Sequence, residues 1–436
     1  MESKEVKSRF LDYFTQRDHL LIKGSSLIPQ GDPSLLFINS GMAPMKPYFT
    51  GQQTPPYPRL TNIQPCIRTN DIDDVGDMHH LTFFQMLGSW SIGDYYKTEA
   101  IHLAHNLLIN EFKIPKDDLY VTVYKGNSEL GIPYDEESHQ AWLDVGIPEN
   151  RIVSLGEDNF WGPAGNYGPC GPCTEVFIDT KKGVVDGSYE ASGEFNTQNR
   201  YMEIWNAGVF MQYYKDPEGK LTPLQMKSVD TGAGLERLVM AMNGVGSVYE
   251  TDIYAGVNSV INTYIPPSID VNVIKNTRII ADHVRAASIL ISEGVLPGRN
   301  GQEYIPRRLA RRAITSAYIL DCPQFSFNDA IDAVVDADSA DYPLLGGSRE
   351  TVKTAFANEA KGFMKVIQNG HSAVRKQLRK TAGLITGQDG FAITSSLGVP
   401  LDVLASLAAK EGAVLDARGY QQAADLHRDI SRRKPE

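Results

Sequence analysis

The residues with the clearest chemical potential surround a glycine-rich run at positions 229–237, Val-Asp-Thr-Gly-Ala-Gly-Leu-Glu-Arg. Apolar residues at helical spacing predict a helix that starts near Leu235. Before it, we expect a turn whose glycines let a ligand approach the backbone and whose Asp230 supplies a carboxylate. Arg237 would lie in the first helical turn, where a cation opposes the helix dipole by roughly 0.3–1 kcal/mol, so a bound anion or π-face would account for it. The alternative is an ordinary glycine turn before an amphipathic helix.

A second set of candidates lies on a predicted hairpin, in which a strand ends at Arg68, a polar loop carries four aspartates, and a second strand starts at His79. The planar guanidinium of Arg68 suits bidentate contact with a phosphate, and His79 or His80 could reach a terminal phosphate. Because adjacent strand residues face opposite sides, a metal held by the histidine pair is not expected. For the same reason only one of Phe83 and Phe84 should meet a base, and we expect Phe83. The alternatives are an exposed arginine and histidines bonded within the loop.

A third set could hold a small molecule. The run Gly-Pro-Cys-Gly-Pro-Cys-Thr-Glu at 168–175 is stiffened by prolines and is predicted to be a turn at the mouth of a pocket, with Trp161 as its wall. No second cysteine pair follows, so we expect no structural zinc. On a strand predicted over 203–212, Asn206 together with Asp230 could bind an ammonium, since an amide oxygen and a carboxylate are complementary acceptors. The alternatives are a core tryptophan and an asparagine bonded to its own backbone.

The elements that must position these residues follow from the hydrophobic pattern. A short buried strand is predicted over 35–38. After residue 252 the pattern becomes mainly helical. Helices are predicted over 3–17, 97–112, 274–293, 304–320 and 350–380.

The helix predicted over 304–320 carries arginines four residues apart. From 271 to 320 there are eight Lys or Arg residues against three Asp or Glu residues, a basic segment in an acidic chain. Contact with nucleic-acid phosphates is the functional interpretation, and a solvated helix face is the alternative. The four arginines are Arg307, Arg308, Arg311 and Arg312.

Composition sets the outer limits. The chain has 436 residues and a net charge of −11, which argues against general DNA coating but permits a local basic patch. Four cysteines do not make a disulfide scaffold, and no apolar run reaches transmembrane length. We therefore expect a cytoplasmic protein that binds neither DNA nor a membrane.

Three segments resemble the motifs of the class II aminoacyl-tRNA synthetases, in that family's order. Residues 24–42 resemble motif 1, residues 66–84 resemble motif 2, whose arginine holds the α-phosphate of ATP, and residues 229–237 resemble motif 3. The run at 168–175 narrows the resemblance to the alanyl-tRNA synthetases, and the match extends from about residue 5 to residue 402.

The resemblance implies an α+β fold, with an antiparallel sheet flanked by helices over residues 1–255 and an all-α domain over 256–436. The first would be the catalytic domain and the second would bind the tRNA acceptor stem. The implied activity is ATP-dependent activation of alanine, followed by its transfer to the 3′ end of tRNA(Ala). ATP and Mg²⁺ are the implied cofactors, and adenylation needs no protein nucleophile.

The resemblance also implies a role for individual residues. The implied catalytic residues are Arg68, Arg237, His79 and His80. The implied ATP contacts are Arg68, His80, Phe83, Met42, Gly234 and Arg237, with Glu175 as the Mg²⁺ ligand. The implied alanine contacts are Trp161, Asn206, Val209, Asp230 and Gly232. The implied tRNA contacts are Asn300, Arg307, Arg308, Arg311, Arg312 and Asp402.

The chain departs from the family's pattern in three places. Two residues, Ala207 and Gly208, stand where many members have one, so the alignment with the family at Val209 is ambiguous. The asparagine that reads a G·U pair in the acceptor stem corresponds to Gly301, with Asn300 one position away. The family's zinc-bearing editing domain and C-terminal domain do not follow Glu436, so we expect a naturally minimal enzyme or a shortened chain, with a separate editing factor as a candidate partner.

Other functions remain open. A synthetase-like ligase could pass activated alanine to a non-tRNA acceptor, which charging assays would distinguish. An RNA-binding paralogue without activity is disfavoured because the ATP-contacting residue types are present. We expect a monomer or weak dimer. A small apolar pocket rejects near-isosteres weakly, so activation of serine and glycine is also expected.

Overall fold

The computed structural model describes residues 1–180, 200–381 and 383–432. Within it the chain forms two compact units. The first unit consists of Met1–Asp73 and Met78–Ala255, and the second of Asp74–Asp77 and Gly256–Glu436.

The first unit is built on one sheet. Its described strands are β1 (Leu20–Leu21), β2 (Arg59–Ile67), β3 (Phe83–Ile92), β4 (Leu119–Tyr124), β5 (Ile152–Leu155), β6 (Phe160–Trp161), β7 (Gly168–Asp179), β8 (Tyr201–Lys215) and β9 (Leu221–Gly234). Their order is β1-β2-β3-β9-β8-β7-β4-β5, and β6 pairs with β7. The pairs β1–β2 and β4–β5 are parallel, whereas the other neighbours are antiparallel. The expected antiparallel sheet is confirmed in its centre, and the parallel pairs at its edges make it mixed.

Helices pack on this sheet. They are α1 (Ser3–Thr15), α2 (Lys46–Phe49), α3 (Lys97–Asn106), α4 (Glu136–Asp144) and α5 (Leu235–Asn243). Val6, Phe10 and Phe14 of α1 are buried, and the Phe10 ring lies 5.9 Å from the ring of Trp205 on β8. The amphipathic pattern of α1 therefore predicted its buried face correctly, and the predicted helix start at Leu235 is also confirmed.

The strand predicted over 35–38 is wrong. These residues lie in a loop, and the amide of Ile67 at the end of β2 donates to the carbonyl of Ile38 at 2.9 Å. The apolar run is explained by burial of Phe37 and Ile38 rather than by strand pairing.

The turns predicted at 168–175 and 229–234 are also wrong, because both segments are paired strands within β7 and β9. At Gly232 an added Cβ would lie 2.7 Å from the sulfur of Met86. Glycine is needed there for close packing over a strand, not for a turn.

The second unit is mainly helical, as expected. Its described elements are α6 (Asp252–Tyr264), which starts in the first unit, then α7 (Val271–Ser292), α8 (Gly301–Ile319), α9 (Phe327–Asp338), α10 (Pro343–Gly347), α11 (Arg349–Leu378), α12 (Gly387–Leu397), α13 (Leu401–Lys410) and α14 (Ala417–Arg432), with the short parallel strands β10 (Leu384–Ile385) and β11 (Val414–Leu415). Part of its core forms where Phe363 and Ile367 of α11 join Leu404 and Leu407 of α13.

No single helix among the described residues is both long enough and apolar enough to cross a membrane. The pair α12 and α13, bent by 118°, meets the length and composition criteria only when the two helices are taken together.

Candidate active site

The pairing of the central strands arranges residues in rows across the sheet. Alternate residues of a strand share a face, so Asp230, Gly232 and Gly234 of β9 face the same side. One row across the strands consists of Leu60, Trp90, Asp230 and Val209, and the next consists of Asn62, Gly88, Gly232 and Asn206.

Arg68 and Arg237 line the same cleft above this face, although they lie 169 positions apart in the sequence. Gly232 and Gly234 lie in its floor, and His79 contributes from the loop before β3. The other lining residues are Asp71, Leu81, Phe84, Met86, Glu203, Ile204 and Glu236. Two cations from distant parts of the chain thus converge above a floor of glycines.

Arg68 follows the last residue of β2, and its backbone amide donates to the carbonyl of Thr82 at 3.0 Å. Its Nε donates to the carbonyl of Asn39 at 3.2 Å, and its guanidinium lies 4.9 Å from the ring centroid of Phe84. Among the described residues, the two terminal nitrogens make no hydrogen bond. They are therefore available to an anion in the cleft.

Phe83, the ring expected to meet a base, does not line the cleft. Phe83 is fully buried, whereas Phe84 lines the cleft. Phe83 pairs with Ile67 across the hairpin, and this register turns its side chain away from the face that carries the cleft.

Arg237 lies in the first turn of α5, as predicted from the sequence. Its Nη1 donates to the backbone carbonyl of Glu203 at 3.3 Å and to Oε2 of the same residue at 3.2 Å. The neighbouring Glu236 is buried, and its carboxylate accepts from the backbone amide of Gln85 at 3.1 and 3.3 Å. Sequence reasoning assigned no role to Glu203 or Glu236, although Glu203 lies between the apolar residues Met202 and Ile204.

Asp230 is 6% exposed, and the indole Nε1 of Trp90 donates to its Oδ1 at 2.6 Å. Burial raises the pKa of Asp230 to about 7, and the Trp90 bond opposes that rise. Gly232, two residues along the same face of β9, opens onto the cleft. Trp90 was not predicted as a site residue, because only the pairing of β3 with β9 brings it to Asp230.

Asn206 lies on β8 with its amide nitrogen donating to Oε1 of Glu175 at 3.2 Å. Its Oδ1 is buried and has no hydrogen-bond partner among the described residues. The chain bulges between Asn206 and Val209, and beyond the bulge Val209 stands opposite Asp230. The bulge accommodates one extra residue in β8 relative to β9.

Glu175 is a half-buried residue on β7. Burial, and next the neighbouring carboxylate of Glu203, hold the pKa of Glu175 well above its usual range, while Arg237 acts in the opposite direction. The two cysteines of the predicted turn, Cys170 and Cys173, are buried on the same strand, and burial raises the pKa of both thiols.

Two expected ATP contacts, Met42 and His80, do not line the cleft. Met42 is fully buried in an apolar cluster with Trp90 and Val209, and Trp161 packs against this cluster. The ring of His80 lies 4.4 Å from that of His79, and its backbone carbonyl accepts from the hydroxyl of Tyr249 at 2.9 Å. Of the two histidines, His79 is the one that lines the cleft.

Trp161 also borders a second cavity in the first unit, which shares Arg68 and Asp71 with the cleft. The tryptophan therefore connects the apolar cluster to the surface beside the arginine.

The predicted tRNA-contacting residues lie in the second unit, and several are already paired. Arg307 and Arg311 of α8 both contact Glu359, at 3.6 and 2.9 Å. Arg312 contacts Asp402 at 3.1 Å. Arg308 is half-buried on the same helix, and Asn300 is exposed immediately before it. The four arginines therefore form a strip whose positive charge is partly neutralised by Glu359 and Asp402.

The sequence profile of tRNA synthetases class II (A) matches residues 5–436. The chain belongs to this family. It is 37% identical over 449 residues to an alanine–tRNA ligase of Rubrobacter xylanophilus, covering 99% of this chain and 50% of that protein. A Thermotoga maritima alanine–tRNA ligase is 39% identical, with 97% and 48% covered, and one of Borrelia hermsii is 36% identical, with 99% and 73% covered.

The chain thus spans about half the length of the first two relatives and 73% of the third. The class II fold and the motif resemblance found in the sequence agree with this family membership.

Proposed function

We propose that this chain activates alanine with ATP and transfers the alanyl group to the 3′ end of a tRNA. The observation that carries the proposal is the convergence of Arg68 and Arg237 on one cleft. Asp230 is buried and does not itself line the cleft, but it lies two residues from Gly232 of the cleft floor, on the same face of β9. This arrangement provides cations for a triphosphate and an anion for an ammonium group.

In the proposed reaction the carboxylate of alanine attacks the α-phosphorus of ATP, and pyrophosphate leaves. Arg68 would bind the α-phosphate through its terminal nitrogens, and His79 would reach the leaving phosphates from the rim of the cleft. Glu203 would hold the guanidinium of Arg237 over the nucleotide, while Phe84 supplies a ring face for the base. These groups bind and align the reactants, so no covalent enzyme intermediate is needed.

Alanine would lie where the row of Asp230 and Val209 meets the row of Gly232 and Asn206. Its ammonium would be bound by Asp230 and by Oδ1 of Asn206, which lacks a partner among the described residues. Val209 and Trp161 would contact the methyl group. Gly232 would lie in the floor beneath the substrate, with Met86 packed closely against it.

The residues present fit a magnesium ion that accompanies ATP. Glu175 and Glu203 are neighbouring carboxylates, close enough for one to raise the pKa of the other, and hard oxygen ligands of this kind suit Mg²⁺. Bound there, Mg²⁺ would neutralise charge on the phosphates.

The proposed acyl acceptor is the 3′ end of a tRNA. The second unit would bind the acceptor stem of this tRNA through Asn300, Asp402 and the arginines of α8. The relatives are alanine–tRNA ligases by name, which favours tRNA over a carrier protein or small molecule. A monomeric or weakly dimeric state belongs to the same proposal.

The decisive experiment is alanine-dependent exchange of pyrophosphate into ATP, followed by charging of tRNA and of non-tRNA acceptors. We expect exchange that requires alanine and alanyl transfer to tRNA alone. Exchange without transfer to tRNA would instead support the ligase that uses another acceptor, and absence of exchange would remove the proposal.

Replacement of Phe84 by leucine is expected to raise KM for ATP about tenfold, because stacking of a base on an aromatic ring is worth roughly 1–3 kcal/mol. The matched control is Phe83→Leu, in which a buried ring of the same strand is changed. This control should lower the melting temperature and leave KM for ATP unchanged. Equal effects of the two changes on KM would show that Phe84 does not contact the nucleotide.

Serine is expected to be activated with kcat/KM about 10²-fold below that of alanine, since a pocket walled by apolar groups rejects an added hydroxyl weakly. The walls are Val209 and Trp161, with Met42 behind them. Serine-dependent pyrophosphate exchange measures this directly, and glycine gives the complementary case of a missing methyl. Purified protein that forms no seryl-adenylate would contradict the expectation.

A further inference from the structure

Four side chains of the second unit form a continuous hydrogen-bonded chain from the core to the surface. His283 of α7 is fully buried, and its Nδ1 lies 2.8 Å from Oδ2 of Asp282. On the other side of the ring, Nε of Arg312 donates to Nε2 of His283 at 2.9 Å. Nη1 of Arg312 then donates to Oδ2 of Asp402 at 3.1 Å.

The donors fix the tautomer of the histidine. An arginine nitrogen can only donate, so Nε2 of His283 must carry a lone pair and Nδ1 must carry the proton that is donated to Asp282. Burial holds the pKa of His283 below its ordinary value, as do the neighbouring Arg312 and Arg308, whereas Asp282 acts in the opposite direction. A neutral imidazole is therefore the form consistent with both contacts.

This series of hydrogen-bonded side chains becomes more exposed to solvent toward the Asp402 end. The side chains of Asp282 and His283 are 0% exposed, whereas those of Arg312 and Asp402 are 12% and 25% exposed. Only Oδ2 of Asp402 takes part in the chain, and among the described residues Oδ1 accepts no hydrogen bond. The outer pair thus places a guanidinium and a carboxylate side by side at the more exposed end.

We propose that Asp282 and His283 are positioning residues for RNA binding, which fix Arg312 and through it Asp402 as one rigid donor–acceptor element. The chemistry of this element suits base edges and 2′-hydroxyls in the shallow minor groove of an RNA helix. The inference rests on the proposed function, because the RNA is the acceptor stem of the tRNA that receives the alanyl group. Neither buried residue would touch the RNA.

Two substitutions at one position separate positioning from general stability. In His283→Gln the side-chain oxygen can occupy the position of Nε2 of His283, so Arg312 keeps its acceptor. His283→Asn retains a donor toward Asp282 but is too short to reach Arg312. We expect His283→Asn to raise KM for tRNA about tenfold with kcat nearly constant, since one charge-assisted hydrogen bond is lost. His283→Gln should stay within about threefold of the unmodified chain.

A matched control is His371→Asn on α11. His371 likewise lies between two partners, the hydroxyl of Tyr318 at 2.8 Å and Oε1 of Glu411 at 2.6 Å, and makes no contact with Arg312. We expect this change to affect thermal stability but not KM for tRNA. An equal rise in KM for His371→Asn and His283→Asn would overturn the inference.

A double-substitution cycle gives the second test. If His283 acts through Arg312 on Asp402, His283→Asn should add nothing to the effect of Asp402→Asn, whereas independent sites would add. Additive effects would overturn the positioning role. Alanine-dependent pyrophosphate exchange is measured in parallel on the full chain. If the unmodified chain shows no exchange, the proposed function is wrong. If His283→Asn shows normal exchange and an unchanged KM for tRNA, only this inference is wrong.

Discussion

Replacement of Arg237 by lysine is expected to lower kcat/KM for ATP in alanine-dependent pyrophosphate exchange by about 10³-fold, the scale on which loss of one preorganised charged donor acts. Nη1 of Arg237 is engaged by both the carbonyl and the carboxylate of Glu203, which leaves the rest of the planar guanidinium for the nucleotide. A lysine ammonium is a single point of charge. It could satisfy Glu203 or reach the ligand, but it could not do both with the same geometry.

The matched control for Arg237→Lys is Arg59→Lys at the start of β2. Arg59 also bonds to carboxylates, those of Asp94 at 2.8 Å and Glu99 at 2.8 Å, and its guanidinium lies 4.9 Å from the ring of Tyr95. It does not line the cleft. We expect Arg59→Lys to leave exchange within about twofold, because exposed ion pairs contribute little. If Arg237→Lys retained a third or more of the activity, the guanidinium would have no special role in ATP binding.

Local patterns predicted those parts of the first unit that local interactions determine. The hairpin that ends its first strand at Arg68 and the helix that begins at Leu235 follow from periodicity over short windows. Arg68 and Arg237 lie beside these boundaries, so their places on the elements could be predicted. The resemblance to the family, and not spacing, implied that both contact ATP. Their convergence on one cleft depends on the pairing of β3 with β9.

The errors arose where strand pairing decides the outcome. Choosing between Phe83 and Phe84 needs the register of β2 with β3, and a shift of one residue reverses every side chain. The glycines of 229–234 suggested a turn, yet they permit Met86 to pack closely over a paired strand. The bonds from Trp90 to Asp230 and from Arg237 to Glu203 join segments far apart in sequence, so no local pattern reveals them.

The second large effect is expected at Asp230, whose alanine-binding role should depend on pH. Burial raises the pKa of Asp230 to about 7, so the carboxyl is mostly neutral at pH 6 and mostly ionised at pH 8. Only the ionised form attracts the ammonium of alanine, so kcat/KM for alanine should rise about tenfold between these values. The stability of the folded protein should change in the opposite direction with pH. Because the folded pKa exceeds the unfolded one, the contribution of Asp230 to stability is fully present below about pH 4 and is lost as pH rises through about 7.

Asp230→Asn should therefore lower kcat/KM for alanine by about 10²- to 10³-fold at pH 8, because a buried charge contact is removed. At pH 6 the effect should be about tenfold smaller, because the unmodified carboxyl is already largely neutral there. Asparagine can still accept from Trp90, so the fold around it is retained. Asp179→Asn is the control, since Asp179 lies on the same sheet and its partner is Arg200. It should preserve the rise with pH, and a rise that also persisted in Asp230→Asn would assign the titration to another group.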